Sequence, residues 1–337
     1  MGADLDFYYF YAFVEIQMSA NGKGKRGVTR YSDWMMQLPP ELHNIPLFNL
    51  AIPGSHDSMS YDLDSSSSII EPDSLKKFSR LCCVRKTLLK WAATQEDTIT
   101  KQLDAGVRYF DLRIARKPHD TNPTRLYFYH GLYTRTDVES VLKMINDWAE
   151  RHPREIIILA LSHFKGFDQK TELHNHLISF IKTLFGTKVV LRGVTPTLRS
   201  CWDQGTNVIV SYDYPAIHDS YMWSKISYFY GDSMKIARVE SVLSEHHYFA
   251  RDPTGFFVCG LNLTLPDDAR ICLYVLRLCD SFANVVRRSL PRLLLWVKQQ
   301  GSRKPNIVAS DLAGREDFVS AVIQYNYYLL LSASIPL

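Results

Sequence analysis

Six consecutive apolar residues, Ile156-Ile157-Ile158-Leu159-Ala160-Leu161, constrain this chain more than any other stretch. Successive side chains of a strand point to opposite faces, so an unbroken apolar run is a strand covered on both sides. That is the condition of a parallel sheet clothed in helices. Further strands are predicted at 47–52, 107–114, 126–129, 208–211, 256–261 and 307–310, and helices at 97–104, 137–151, 171–184 and 315–330. Strands alternating with helices are βαβ units, so the fold class is α/β, either a doubly wound sheet or a barrel.

The unusual polar residues favour the barrel. His56, Arg113, His130 and Asp311 each fall at or just past the carboxyl end of a predicted strand. In α/β barrels that rim is where catalytic groups gather. A chain of 337 residues, 46% of them hydrophobic and 22% charged, can bury the core such a fold needs. Lys and Arg number 39 against 35 Asp and Glu, too even a balance to suggest nucleic acid as a partner.

The six cysteines form no C-x-x-C pair and no disulfide framework. The expectation is buried thiols in a reducing, cytoplasmic setting. Asn262-Leu263-Thr264 matches a glycosylation sequon, a tripeptide that also arises by chance. The apolar stretch at 7–18 contains Glu15, follows Asp4 and Asp6, and falls short of the roughly 20 residues a transmembrane helix requires. Position 6 is Asp where myristoylation of Gly2 would need Ser or Thr. No transmembrane segment is therefore expected; residues 1–30 read as a flexible extension and 31–331 as one domain.

Four stretches carry the chemistry. In Ala51-Ile52-Pro53-Gly54-Ser55-His56-Asp57-Ser58, Pro53 and Gly54 are expected to turn the chain out of the strand and leave His56 exposed at the rim. In the strand predicted at 107–114, Tyr109, Asp111 and Arg113 share one face and Phe110, Leu112 and Ile114 the other. The Asp111 and Arg113 pair reads either as a structural salt bridge or as an arginine held ready for an anionic oxygen. His130 ends the aromatic strand Tyr127-Phe128-Tyr129, and Asp311 ends the last strand. Two histidines, two carboxylates and an arginine on one rim suit phosphodiester cleavage. One imidazole takes a proton from the nucleophile, the other protonates the leaving oxygen, and the guanidinium offsets charge on the phosphate.

The order and wording of IPGSHDS, QLDAGVRYFDLR, YHG and the late ASD resemble the X domain of phosphatidylinositol-specific phospholipase C. They are most like the animal X-domain-only proteins, which lack the accessory modules of the larger phospholipases. The likeness runs from about Asp33 to the last helix, and the fold it implies is an irregular (β/α)8 TIM-type barrel. It implies that His56 is the general base on the inositol 2-hydroxyl, oriented by Asp311. It further implies that His130 is the general acid for the diacylglycerol oxygen, with Asp57 as its carboxylate partner. Arg113 matches the arginine that replaces calcium at the phosphate in bacterial enzymes, so no metal and no cofactor are expected. The implied partner is a phosphatidylinositol lipid at a membrane surface, met by a monomeric, peripheral enzyme.

Bacterial members grip the inositol ring with lysine and arginine on the fourth and fifth strands. Here those stretches read Ala160-Leu161-Ser162-His163-Phe164-Lys165 and Val210-Ser211-Tyr212-Asp213-Tyr214. His163, Lys165, Tyr212 and Asp213, with Asp111, are the candidate substrate contacts. The competing readings are a non-catalytic phosphoinositide-binding protein on the same barrel, and a metal-dependent phosphodiesterase acting on a soluble glycerophosphodiester.

Lys76 to Lys86 holds five basic and no acidic residues among apolar ones. It reads either as a solvated helix face with Cys82 and Cys83 buried, or as a segment seating the barrel on an anionic membrane, where each Lys or Arg contributes about 1 kcal/mol. On the membrane reading Cys82 and Cys83 are candidate acylation sites. His174 and His176 lie two apart on a predicted helix and cannot share a face as a metal pair would. His246 and His247 read as solvated loop residues, and 287–298 as a core-packed helix.

Overall fold

The computed structural model describes residues 31–334 apart from 168, 216–218, 250–251, 253, 267–273, 275–279 and 301–304. The expected extension at 1–30 lies outside the described residues. Among the described residues nine strands form the sheet: β1 (Ile52–Ser55), β2 (Tyr109–Ala115), β3 (Tyr127–His130), β4 (Leu132–Asp137), β5 (Ile157–Lys165), β6 (Val208–Tyr212), β7 (Ser227–Tyr230), β8 (Phe257–Gly260) and β9 (Ile307–Ser310). Seven of them follow one another in parallel as β6–β5–β2–β1–β9–β8–β7. Between β6 and β7 the described residues form no ladder. Trp223 closes part of that gap, donating to the Val210 carbonyl at 2.7 Å while its own carbonyl accepts from Tyr212 at 3.0 Å. The hairpin β3–β4 is added antiparallel to β2. The result is the expected α/β barrel, irregular at one seam and carrying an extra hairpin.

The chain forms these elements for local reasons. Ile157 to Leu161 of β5 are buried throughout, as the unbroken apolar run requires. Helices clothe the strands: α1 (Cys82–Ala92), α2 (Ile99–Ala105), α3 (Val138–Arg151), α4 (Thr171–Phe185), α5 (Leu198–Gln204), α6 (Ile236–Phe249), α7 (Phe282–Lys298) and α8 (Glu316–Ser334). The Asp137 side chain caps α3 by accepting from the Ser140 amide, and Val141, Leu142, Ile145 and Trp148 form its buried stripe. One apolar core runs from Trp34 to Tyr325. No helix among the described residues is long and apolar enough to cross a membrane.

Several expectations are corrected. Residues 47–49 form a 3-10 turn, and the first strand starts only at Ile52. Pro53 and Gly54 lie inside that strand rather than turning it. Pro53 has no N–H to give, but its carbonyl accepts from Arg108 at 2.8 Å. Gly54 is there because a Cβ would meet Ile307 Cγ2 and Tyr109 Cδ1 at 3.0 Å. The turn falls instead at Asp57, which has a φ of 43°.

Strands β4 and β7 and helices α5 and α6 were not legible in the pattern. The backbone of His246 and His247 belongs to α6, not to a loop. His174 is buried with Nδ1 2.8 Å from the Tyr212 hydroxyl, while His176 faces Glu139, so the two do not share a face. Cys201 and Cys259 are buried, whereas Cys82 and Cys83 are exposed, contrary to the reading of buried thiols. Cys272 and Cys279 lie outside the described residues. Asn262 is buried with Oδ1 accepting from the Tyr228 hydroxyl, so the sequon is a chance match.

At the amino end of the strands a buried ion pair ties four segments together. Arg108 Nη2 lies 2.7 Å from Glu155 Oε2, and Nη1 donates to the carbonyls of Leu103 and Val107. Glu155 in turn accepts from the Met35 and Met36 amides. Replacing Arg108→Leu strands a buried carboxylate. The variant is expected to lose about 3–5 kcal/mol of unfolding free energy in a denaturant titration.

Candidate active site

The carboxyl ends of the strands surround a cavity of about 800 Å³. His56 just after β1, Tyr109, Asp111 and Arg113 on β2, His130 on β3 and Ala160 and Ser162 on β5 line it. Alternation along β2 turns Tyr109, Asp111 and Arg113 inward and leaves Phe110, Leu112 and Ile114 fully buried on the outer face. Parallel pairing aligns Ser55 with Phe110 on one side and with Ser310 on the other. His56, Asp111 and Asp311 each follow one member of that row, so three distant segments deliver their polar groups at one level.

The groups form a continuous network. His56 Nδ1 lies 2.8 Å from Asp311 Oδ1, and Asp311 Oδ2 accepts from the Leu263 amide at 3.1 Å. Asp57 Oδ2 is 3.1 Å from His56 Nε2 and 3.3 Å from His130 Nε2, so a single carboxylate oxygen serves both imidazoles. Asp57 Oδ1 lies 2.7 Å from Arg113 Nε. Arg113 Nη2 reaches His56 Nε2 at 3.1 Å and Asp111 Oδ2 at 3.4 Å. Asp111 Oδ2 also accepts from the Asp57 amide at 3.1 Å. His130 Nδ1 is 2.7 Å from the Ala92 carbonyl, an acceptor only, so that nitrogen carries a proton.

Arg113 Nη2 can only donate, so in neutral His56 the proton is assigned to Nδ1, donating to Asp311, and Nε2 accepts from Arg113; in protonated His56 the Nε2 proton faces Asp57 Oδ2.

Burial sets the electrostatics. Desolvation by itself would lower the His56 pKa. The charge on Asp57, together with the hydrogen bond and charge of Asp311, outweighs burial and the opposing Arg113, and raises it above 6.5. Burial would raise Asp57, yet Arg113 first, then His130, His56 and His163, hold it down at about 2. Asp311 moves the other way, because burial outweighs its bond to His56. Burial works against the Arg113 charge, but Asp57 and Asp111 more than compensate and fix it as a permanent cation. Burial lowers His163, and Arg113 adds to the effect.

His56, Asp57 and Asp111 each place one potential ligand atom within 4.8 Å of the others, the only such group of three found among the described residues. The Arg113 guanidinium lies against both of those carboxylates.

The structure brings most of the sequence candidates together. His56, Asp111, Arg113, His130, His163 and Asp213 line the cavity, with Asp57 between the two imidazoles at their Nε2 atoms and Asp311 behind His56 at Nδ1. His56 is buried, 6% exposed, rather than standing free at the rim. Tyr212 is the residue to correct. It faces α4, bonded to His174 and stacked on Phe164, because its neighbour Ser211 takes the inward position on β6. Lys165 does not line the cavity but pairs at 3.3 Å with Glu71, which does. Asp213 pairs with Lys225 at 2.7 Å.

Trp91, Tyr109, Lys225, Tyr228, Tyr230 and Asn262 also line the cavity and were not among the site candidates. Tyr109 was recoverable, since it shares the inward face of Asp111 and Arg113. Tyr228 and Tyr230 lie on the undetected strand β7.

Residues 82–209 match the family described as phosphatidylinositol-specific phospholipase C, X domain. The fold is that of the phosphatidylinositol-specific phospholipases C of Staphylococcus aureus (TM-score 0.60, 19% identity, 88% of this chain and 98% of that one) and Listeria monocytogenes (TM-score 0.60, 21% identity, 88% and 99%), which are TIM barrels.

Among curated proteins, the chain is 41% identical to PI-PLC X domain-containing protein 1 of Homo sapiens, over 88% of this chain and 93% of that protein. It is 36% identical to protein 2 of Mus musculus (88% and 87%) and 33% identical to protein 3 of Homo sapiens (91% and 97%). The chain belongs to the PI-PLC X domain-containing protein family.

Asp311 raises the His56 pKa, so removing its charge lowers it. In Asp311→Asn the His56 ring is expected to titrate at lower pH than in the wild type, followed by its ring-proton NMR signals. An unchanged or higher value contradicts the assigned network.

Proposed function

We propose that this protein is a phosphodiesterase of the phospholipase C type, cleaving phosphatidylinositol-type lipids by acid–base catalysis between His56 and His130. The observation that carries the reading is the Asp57 carboxylate shared by the two Nε2 atoms, with Arg113 against its other oxygen. Neutral His56 takes the proton of the inositol 2-hydroxyl on Nε2, and the hydroxyl oxygen bonds to phosphorus. The bond from phosphorus to the diacylglycerol oxygen breaks, and that oxygen receives the Nε2 proton of His130. Asp311 holds the His56 tautomer and steadies the imidazolium that forms, and Asp57 does the same for protonated His130. Arg113 turns an N–H from His56 to a phosphate oxygen as negative charge builds there.

We further propose that the reaction needs no metal. A calcium ion takes about six to eight oxygen ligands. His56, Asp57 and Asp111 supply one nitrogen and two carboxylates, with a permanent guanidinium charge already against both carboxylates, so these residues do not suit the ion. Without a metal to assist a second, hydrolytic step, cyclic inositol 1,2-phosphate is the product expected to accumulate. Asp111, His163 and Asp213 are the proposed headgroup contacts. All these groups lie on one chain, so a monomer working from the cytoplasmic surface of a membrane suffices.

The test is turnover of labelled phosphatidylinositol vesicles in excess EGTA, beside His56→Ala. Wild-type release of cyclic product is expected, with the variant slower by about 10²–10⁴-fold. Strict calcium dependence overturns the metal-free mechanism. Folded, vesicle-bound but inert wild-type protein puts the non-catalytic lipid-binding reading ahead.

The acid limb of the pH–rate profile is also informative. Protonated His56 cannot accept the nucleophile's proton, so the rate is expected to fall with decreasing pH through a midpoint above 6.5, the ordinary imidazole value.

A further inference from the structure

The chain leaves the cavity wall at Ser74 and returns to it at Leu88 and Trp91. The segment between is pinned by buried Leu75, which packs with Leu63, Ile69 and Leu88. Its outer side is exposed and apolar: Phe78 is 39% and Leu81 49% accessible, and Cys82 and Cys83 are also exposed. From Lys76 to Lys90 the chain carries six Lys or Arg and no Asp or Glu. Lys76 pairs with Asp73, and Arg85 donates to the Ser65 carbonyl. Lys77, Arg80, Lys86 and Lys90 are exposed and make no ion pair among the described residues.

The other basic, apolar stretch behaves differently. On α7, Arg287, Arg288 and Arg292 are each matched to an acid, Glu96, Asp280 and Glu240 respectively. Unmatched positive charge and exposed large apolar side chains therefore coincide at the cavity mouth.

We propose that residues 74–90 form a docking surface for an anionic phospholipid bilayer. Phe78 and Leu81 enter the interface, and the unpaired Lys and Arg side chains meet lipid phosphates and carboxylates. Both ends of the segment line the cavity, so docking here sets the mouth of the site against the lipid. The proposal deepens the phospholipase reading and rests on it for its purpose, while the binding itself is measured independently.

The probes are vesicles of phosphatidylcholine alone and of phosphatidylcholine with phosphatidylserine, both free of phosphatidylinositol so that the catalytic cavity is not engaged. Co-sedimentation compares the full-length wild type with Lys77→Ala/Arg80→Ala, with Phe78→Ser/Leu81→Ser, and with Arg154→Glu at the opposite end of the barrel. The wild type is expected to bind the phosphatidylserine vesicles and to release as salt is raised. Each charge removed is expected to weaken binding about fivefold. The apolar pair is expected to weaken it at every salt concentration, and Arg154→Glu to bind as the wild type does. Matched thermal melting shows that the exposed substitutions leave the fold intact.

Turnover of a monomeric, short-chain phosphatidylinositol separates the two ideas. The docking variants should match the wild type on it and fall behind only on vesicles. A wild type that ignores phosphatidylserine vesicles, or variants that bind them equally well, overturns the docking surface. A wild type that binds vesicles through this segment but cleaves neither substrate overturns the phospholipase reading and leaves the surface standing.

Discussion

The rest of the site depends on one buried carboxylate. Asp57 is 3% exposed and touches Arg113 and both imidazoles. Taking an ion out of water costs several kcal/mol, and that cost is offset only where geometry supplies close opposite charge. Arg113 supplies it permanently; His56 and His130 supply it when protonated. Burial alone would lower the His56 pKa, but the charge of Asp57 and, after it, the hydrogen bond and charge of Asp311 outweigh both burial and Arg113, and the pKa rises. The demand for positive charge that stabilises Asp57 is thus the same demand that makes the His56 imidazole ready to hold a proton.

The barrel meets this demand through register. Only a parallel arrangement lets β1, β2 and β9 end at the same height, so that the residues after Ser55, Phe110 and Ser310 converge. The next row on β2 and its neighbours is cut back to small side chains: Arg113 is level with Ser162, and Asp111 with Ala160, which pairs in turn with Ser211. Those three small residues line the cavity and leave room above the charge network. The cost shows in the backbone. Asp57, His163 and Leu312, each at or beside the site, have φ values of 43°, 51° and 50°, a region that disfavours side chains with a Cβ. The Leu312 amide is held there by the Thr94 carbonyl at 2.9 Å.

The cavity is also two-sided. Charged groups make its floor, while Leu88, Trp91, Leu263, Leu265 and Phe282 form an apolar part of the wall. Such a division suits a ligand with a polar head and an apolar remainder. Leu88 and Trp91 of that wall belong to α1, which carries the end of the exposed basic segment, so under the proposed function substrate entry and membrane docking share one surface.

Periodicity and local chemistry by themselves determined much of this protein. The unbroken run at 156–161 declared a strand covered on both faces, and alternation declared that Asp111 and Arg113 point the same way. Polar residues at strand ends marked His56, His130 and Asp311, because a charge beside an apolar strand has nowhere to go but the rim. Tertiary structure decided what depends on neighbours distant in sequence. Whether Tyr212 or Ser211 faces inward is set by the pairing of β6 with β5, which a short apolar strand does not announce.

β7 is only four residues long and half-exposed, so its pattern was too weak to place Tyr228 and Tyr230 in the cavity. Lys165 and Asp213 were recognisable as polar groups near the site, but their partners Glu71 and Lys225 come from other segments. That Pro53 and Gly54 continue a strand rather than break it follows from the closeness of Ile307 and Tyr109. A residue's intrinsic preference is local, whereas the space left to it is made by chains folded against it from elsewhere.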